Sequence, residues 1–196
     1  MSISSRFSKS DVKNLTSVEF MREATFEDMT TDYGKRFKVA YLARESTQHV
    51  EQVKALNIQI QQLEDFISKH NHFVLKSECK FVERGKSGLS TDWRETFRLM
   101  IDMARSGSFE ILVVDSASRF ARNVGELFTT IDTLKEMGVG VLVLTGYYWT
   151  FNMTPTDLLR LATEAGLAQA ESMQTSQRVR KHMATVAQNG QLLCSS

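Results

Sequence analysis

The chain has 196 residues, 42% of them hydrophobic, enough for one domain with a substantial core and some added segments. Its 24 basic and 23 acidic residues leave a net charge of +1, which excludes a domain that holds nucleic acid by bulk charge; any such affinity must come from local clusters. The N-terminal stretch lacks the apolar core of a signal peptide and no run approaches a membrane helix in length, so the expectation is a soluble, cytoplasmic protein with no membrane association.

Residues 1–35 are polar and Ser/Thr-rich and read as an extension before the main domain. One short helix is predicted there over 18–25, opened by Thr16 or Ser17 and closed back by Glu19. Residues 37–43 suit a buried strand, and 48–69 follow with Val53, Leu56, Ile60, Leu63 and Ile67 at helical spacing. Residues 72–75 and 79–82 make a second strand, interrupted or bulged around 76–78, before a glycine-containing loop at 85–88 that is expected to be mobile. Asp92 and Glu95 cap a helix over 93–105 that buries Phe97, Met100, Ile101 and Ala104 and ends at Gly107. Runs 111–114 and 139–144 are two further buried strands, separated by a helix whose face carries Val124, Leu127, Phe128, Ile131 and Leu134. The aromatic run 147–151 adds a short edge strand.

From Thr154 onward, Pro155 at the first helical position and Asp157 three residues after a threonine cap announce a helix that meets no breaker but Gly166 before Gly190. It would run about 50 Å, well beyond a domain whose radius of gyration is of order 16 Å. Ala162, Ala165, Gln169, Ser172, Ser176, Val179, Met183 and Val186 follow a near-heptad path along it, so a partner subunit is expected to cover part of it. Strands alternating with helices give an α/β fold with a mostly parallel sheet of four to five strands, flanked by helices and followed by this long helix. The division is an extension (1–35), a core (36–153), the long helix (154–190) and a short tail (191–196).

Chemistry gathers where strands end. SRFARN at 118–123 follows the apolar run Ile111–Val114, and Arg44, Glu45 and Ser46 likewise follow 37–43. In an open α/β sheet ligands bind outside the carboxyl ends of the strands, so these two segments face one pocket. Guanidinium forks match phosphate oxygens, and several of them around a hydroxyl point to phosphoryl transfer from a phosphodiester. Competing readings exist for each residue. Arg44 and Ser46 are compatible with ordinary loop positions, and Arg119 and Arg122 with a solvated helix face or an ion pair to Glu126. Arg178, Arg180 and Lys181 fit either the charged side of an amphipathic helix or DNA contacts. His49 near Ser46 keeps a serine-hydrolase reading open. Gly85, Lys86 and Ser87 invite a P-loop reading, but Lys80 stands where its first glycine belongs. Cys79 and Cys194 lack metal-like spacing and read as free thiols.

These segments together resemble the catalytic domain of the serine recombinases, the resolvase and invertase superfamily. YLARES at 41–46 is similar to its strand-ending YARVS and implies Ser46 as nucleophile with Arg44 beside it. LNIQIQQLEDF at 56–66 resembles the following helix and places Gln59 near the active site; VERGKSG at 82–88 resembles an acidic loop and brings in Glu83. Residues 94–97 resemble the Arg-Pro-Gly-Phe motif through Arg94, and SRFARN resembles the arginine-pair motif through Arg119 and Arg122, with Ser118 where resolvases carry aspartate. AQAESMQTSQRV at 168–179 resembles the start of the oligomerisation helix and carries Arg178 onto the last active-site arginine. The serine form of the arginine motif and AQAES look like the large serine recombinases of phages and mobile elements.

The resemblance implies a covalent 5′-phosphoserine intermediate on double-stranded DNA, a homodimer in solution, a homotetramer at synapsis, strand exchange by subunit rotation, and no ATP. Arg44, Arg94, Arg119, Arg122 and Arg178 would meet the charge that builds on the phosphorane, each donor worth about 3 kcal/mol. No cofactor or metal is expected, because the sequence lacks the clustered Asp/Glu set with which magnesium nucleases hold their ions. A non-catalytic oligomerising relative of the same fold is the other reading. The chain ends soon after Gly190, so it is expected to lack DNA-recognition domains that follow the long helix in large members.

Overall fold

The computed structural model describes residues 7–44, 50–83, 93–121 and 123–188. Its strands are β1 (Phe37–Arg44), β2 (Phe73–Glu83), β3 (Ile111–Val114), β4 (Gly140–Val143) and β5 (Tyr148–Trp149), joined in one sheet in the order β2-β1-β3-β4-β5. The first four are mutually parallel and β5 is antiparallel on the β4 edge. Every residue of β3 and β4 is buried, as expected of strands covered on both faces. The expected α/β architecture is the observed one.

Alternation along the strands divides the core. Val39, Tyr41, Ala43, Ile111 and Val113 face the helix α4 (Val50–Ser68), which contributes Leu56, Leu63 and Ile67. Ala40, Leu42, Leu112 and Val114 face the other side, where α5 (Trp93–Arg105), α7 (Val124–Glu136) and α8 (Pro155–Gln188) supply Met100, Ala104, Leu127, Ile131, Leu134, Leu161 and Ala165. The 3.6-residue spacing read from the sequence thus lands on the buried face of α4, α5 and α7, whereas of the path read along α8 Ala165 is buried and Val179 and Met183 are exposed. Thr154 and Asp157 form the reciprocal cap that opens α8, with the Thr154 amide 2.9 Å from Asp157 Oδ2.

β2 is one strand, with the irregularity expected near 76–78 expressed as a jump in pairing. Val39 pairs with Leu75, but Tyr41 pairs with Lys80, so four residues of β2 stand against one of β1.

The N-terminal segment holds more structure than its sequence suggested. Besides the expected helix, here α2 (Ser17–Glu23), it forms α1 (Lys9–Asn14) and α3 (Phe26–Thr30), each opened by a capping box: Ser8 with Asp11, Thr16 with Glu19, Thr25 with Asp28. Val12, Phe20, Met21, Ala24 and Met29 are buried with the α4-side core. Hydrogen bonds tie the segment to both flanks of the sheet: Trp149 Nε1 donates to Met21 O at 2.8 Å, and His72 Nε2 lies 3.0 Å from Met29 O.

A second difference lies between β3 and α7. Arg119 belongs to a separate short helix, α6 (Ala117–Phe120), which ends where Ala121 turns extended, and α7 begins anew with Asn123 Oδ1 accepting the Glu126 amide at 2.8 Å. Arg119 and Glu126 therefore do not share a helix face. Arg122, in the gap, lies outside the described residues.

Candidate functional site

In the strand order, the chain leaves β1 toward β2 and leaves β3 toward β4, so the connections part at the carboxyl ends of β1 and β3. Such a switch point leaves a crevice that no crossover fills. Arg44, the last residue of β1, spans it. Its backbone N–H donates to Gln59 Oε1 of α4 at 3.2 Å, and its guanidinium Nη2 donates to the Ser118 carbonyl of α6 at 2.9 Å. Ser118 Oγ lies 3.1 Å from Ser116 Oγ at the start of α6. Glu83, last residue of β2, is the register partner of Arg44 and buries its Oε2 oxygen. Arg119 stands half-buried on α6, next to the residue that Arg44 holds.

Gln59 is 6% exposed, and because its oxygen is committed to the Arg44 amide, its Nε2 is left as a buried donor with no protein partner among the described residues. Leaving such a donor unmet costs about 1–3 kcal/mol, so the position suits an acceptor from a bound molecule or water. A guanidinium and an amide donor thus stand at one end of the sheet. That set can bind an oxyanion such as a phosphate.

Arg44, Gln59, Glu83, Ser118 and Arg119 are the sequence-selected residues that the fold brings to this end. Ser46 and Arg122 lie outside the described residues, as does the 84–92 loop. Arg94 sits in the first turn of α5, its side chain outside the description. Arg178, Arg180 and Lys181 are exposed on the distal part of α8, beyond its last buried residue, Ala165. Within one chain they stand apart from the Arg44 cluster.

Sequence reasoning missed a network one layer below. Glu64 Oε1 of α4 accepts from Tyr41 Oη at 2.9 Å and from Lys80 Nζ at 2.6 Å. The Lys80 hydrogen bond holds the Glu64 carboxyl below its ordinary value, against the opposing pull of burial and with help from Tyr41. Burial and the Glu64 contact push the Tyr41 phenol up, keeping it a donor. No short-range signal marks these three residues, which meet only when β1, β2 and α4 assemble. Separately, a cavity of about 580 Å³ lies between α3 and the turn before β5, lined by Phe26, Tyr147, Trp149 and Asp157 among others; it shares no residue with the Arg44 cluster. No group of three or more His, Cys, Asp or Glu among the described residues is arranged to hold a metal ion. No helix among them is long and apolar enough to cross a membrane.

The fold is similar to that of a resolvase family site-specific recombinase from Streptococcus pneumoniae, with 22% identity over 79% of this chain and 99% of that one and a TM-score of 0.54. Also similar are the N-terminal catalytic domain of TP901-1 integrase (19% identity, 68% of this chain and 95% of that one, TM-score 0.48) and the C-terminal catalytic domain of ISC1926 TnpA, an IS607-like serine recombinase (14%, 72% and 98%, TM-score 0.44). No curated protein matches the chain. The family model of the resolvase N-terminal domain matches residues 39–192, from within β1 to past the end of α8, and on that match the chain belongs to the resolvase family.

Proposed function

We propose that this chain is the catalytic domain of a site-specific DNA recombinase of the large serine type, used by a mobile element for integration, excision or transposition, with Ser46 as its nucleophile. The observation that carries the reading is the Arg44 guanidinium held on the Ser118 carbonyl across the β1–β3 switch point, two residues before Ser46 in a chain of this family. Ser46 Oγ attacks a backbone phosphorus, its proton leaves, and the bond to the 3′ oxygen breaks. The products are a phosphoserine ester to the 5′ phosphate and a 3′ hydroxyl that takes up a proton. Bond energy is kept, so the 3′ hydroxyl of a rotated partner strand attacks the same phosphorus and frees Ser46, without ATP.

Arg44, Arg94, Arg119 and Arg122 meet the charge on the non-bridging oxygens, and Arg178 joins them when α8 packs in a dimer or tetramer. Gln59 Nε2 is a further donor toward the phosphate, and Glu83 orients the Arg44 side of the pocket. Arg180 and Lys181 track the DNA backbone. These groups supply the electrostatic stabilisation that a metal ion supplies elsewhere.

The test uses a nicked duplex from which the 3′ fragment diffuses after cutting, trapping the covalent adduct. Wild type gives an adduct that maps to Ser46 by mass spectrometry and persists in EDTA; Ser46→Ala gives none, and Arg44→Ala slows its formation about 10²- to 10³-fold. Metal-dependent cutting by Ser46→Ala overturns the proposal. Oligomers without any adduct from wild type favour a non-catalytic relative.

A further inference from the structure

We infer that Glu64 is a positioning residue of this site: its carboxylate, gripped by Tyr41 and Lys80, sets the β2 register that puts Glu83 opposite Arg44 and the height of α4 that puts Gln59 on the Arg44 amide. The inference deepens the recombinase reading and rests on it for its catalytic consequence.

The register needs a device because β2 jumps. Past Leu75, four residues of β2 pass while β1 advances by Ala40 alone, and pairing resumes at Tyr41 with Lys80. Apolar alternation fixes only part of the new register. Cys79 and Phe81 are buried with Met100 and Phe109 on the α5 side, so a slip of one residue would turn Lys80 into that core and is excluded. A slip of two residues keeps every side chain on its face. It would move Lys80 about 7 Å along the strand, out of reach of Glu64. The bracket of Tyr41, Glu64 and Lys80 discriminates between these two-residue alternatives, and the choice decides whether Glu83 or another residue faces Arg44.

The same carboxylate sets α4. Glu64 meets Tyr41 near the middle of β1, while Gln59, about 7.5 Å nearer the start of the helix, meets Arg44, about 10 Å further along the strand. Helix and strand run in opposite directions, so both contacts form at one axial setting only. The Lys80–Glu64 ion pair has its two side chains 38% and 39% exposed, and an ion pair so wetted adds little stability by itself. Its consequence is geometric. None of the three side chains reaches the Arg44 cluster, so the role is positional, not catalytic.

The full chain, its Glu64→Ala, Glu64→Gln and Lys80→Met variants, and two readouts test this. The first is hydrogen exchange of the Arg44 amide by NMR, which needs no DNA because that amide's acceptor is Gln59. The second is the rate of adduct formation on the nicked duplex at saturating DNA. Glu64→Ala is expected to speed Arg44 exchange about tenfold and slow adduct formation to a similar degree, with the half-saturating DNA concentration unchanged within about twofold. Glu64→Gln keeps an acceptor for Tyr41 and recovers part of both; Lys80→Met falls between. Circular dichroism checks folding, and if Glu64→Ala does not fold, the other two variants carry the comparison. Unchanged Arg44 exchange in the folded variants, or Gln no better than Ala, overturns the inference. Faster exchange alongside a wild type that forms no adduct leaves it standing and overturns the recombinase reading instead.

Discussion

Gly140 carries no side chain because an indole occupies that space. A Cβ there would overlap Cη2, Cζ2 and Cζ3 of Trp149, which is 2% exposed and pinned by its hydrogen bond to Met21. The ring cannot yield without giving up that bond, so Gly140→Ala is expected to destabilise the protein by about 1–3 kcal/mol, read as a lower urea midpoint with unchanged slope. Glu64 makes a pH-dependent contribution of known sign. Its carboxyl is held below the ordinary value of 4.5, first by Lys80, so the stabilisation is fully present above that value and is lost as pH falls through the lowered one. Urea unfolding at a series of pH values should therefore show wild type and Glu64→Gln separated by a constant gap above about pH 5 that closes on acidification. At this scale the sequence marks residue types but not neighbours. Nothing in the string links Gly140 to Trp149 or Tyr41 to Glu64, whereas the strand-end position marks Arg44 and the family resemblance marks Gln59.

Elements with many turns were legible, and short ones were not. The helices α4, α5, α7 and α8 announce themselves through repeated apolar spacing, and α5 begins and ends where its pattern and Gly107 say. α1 and α3, six and five residues long, offer too few turns for a period to show, and helices so short are unstable alone. Their one local signal is the hydroxyl-x-x-acid spacing, present three times before residue 30 and recognised only for α2. What holds them is burial on the sheet. Phe20, 1% exposed, stacks on Phe37 with ring centroids 6.0 Å apart and meets Phe7 and Tyr33 edge-on. Phe20→Ala is accordingly expected to cost about 3–5 kcal/mol in global stability, as a core substitution would, and not merely to fray the N-terminus. Two-state unfolding followed by both circular dichroism and tryptophan fluorescence, with Trp93 replaced by Phe so that Trp149 alone reports, checks this, since a detachable arm would leave the main transition in place.

Over the whole molecule, α8 has two environments. Leu161 and Ala165 are buried against α6 and α7, while Val179 and Met183, about five turns further on and so on the same side of the helix, are 48% and 56% exposed. The side that docks the helix onto its own domain continues to Val179 and Met183, which no described residue covers. Large apolar side chains held out in this way are interaction surfaces, and a second copy of α8 suits them because the stripe repeats at helical spacing. Replacing Val179 and Met183 together by Glu should shift sedimentation toward the monomer at micromolar concentration while leaving the thermal transition of the dilute protein in place. Association unchanged by the pair would place the interface elsewhere.

Local chemistry and periodicity are properties of the string, so the sequence by itself determined the order of the strands and the longer helices, the mostly parallel sheet, the long last helix and the motifs that mark the family. Contacts between residues far apart in the chain depend on how finished elements stack. Only the tertiary structure decided that Arg44 reaches the Ser118 carbonyl, that Val12, Phe20, Met21, Ala24 and Met29 belong to the core, and that one carboxylate on α4 meets both Tyr41 of β1 and Lys80 of β2. Each of those outcomes is a long-range packing choice, and neither propensity nor spacing carries information about it.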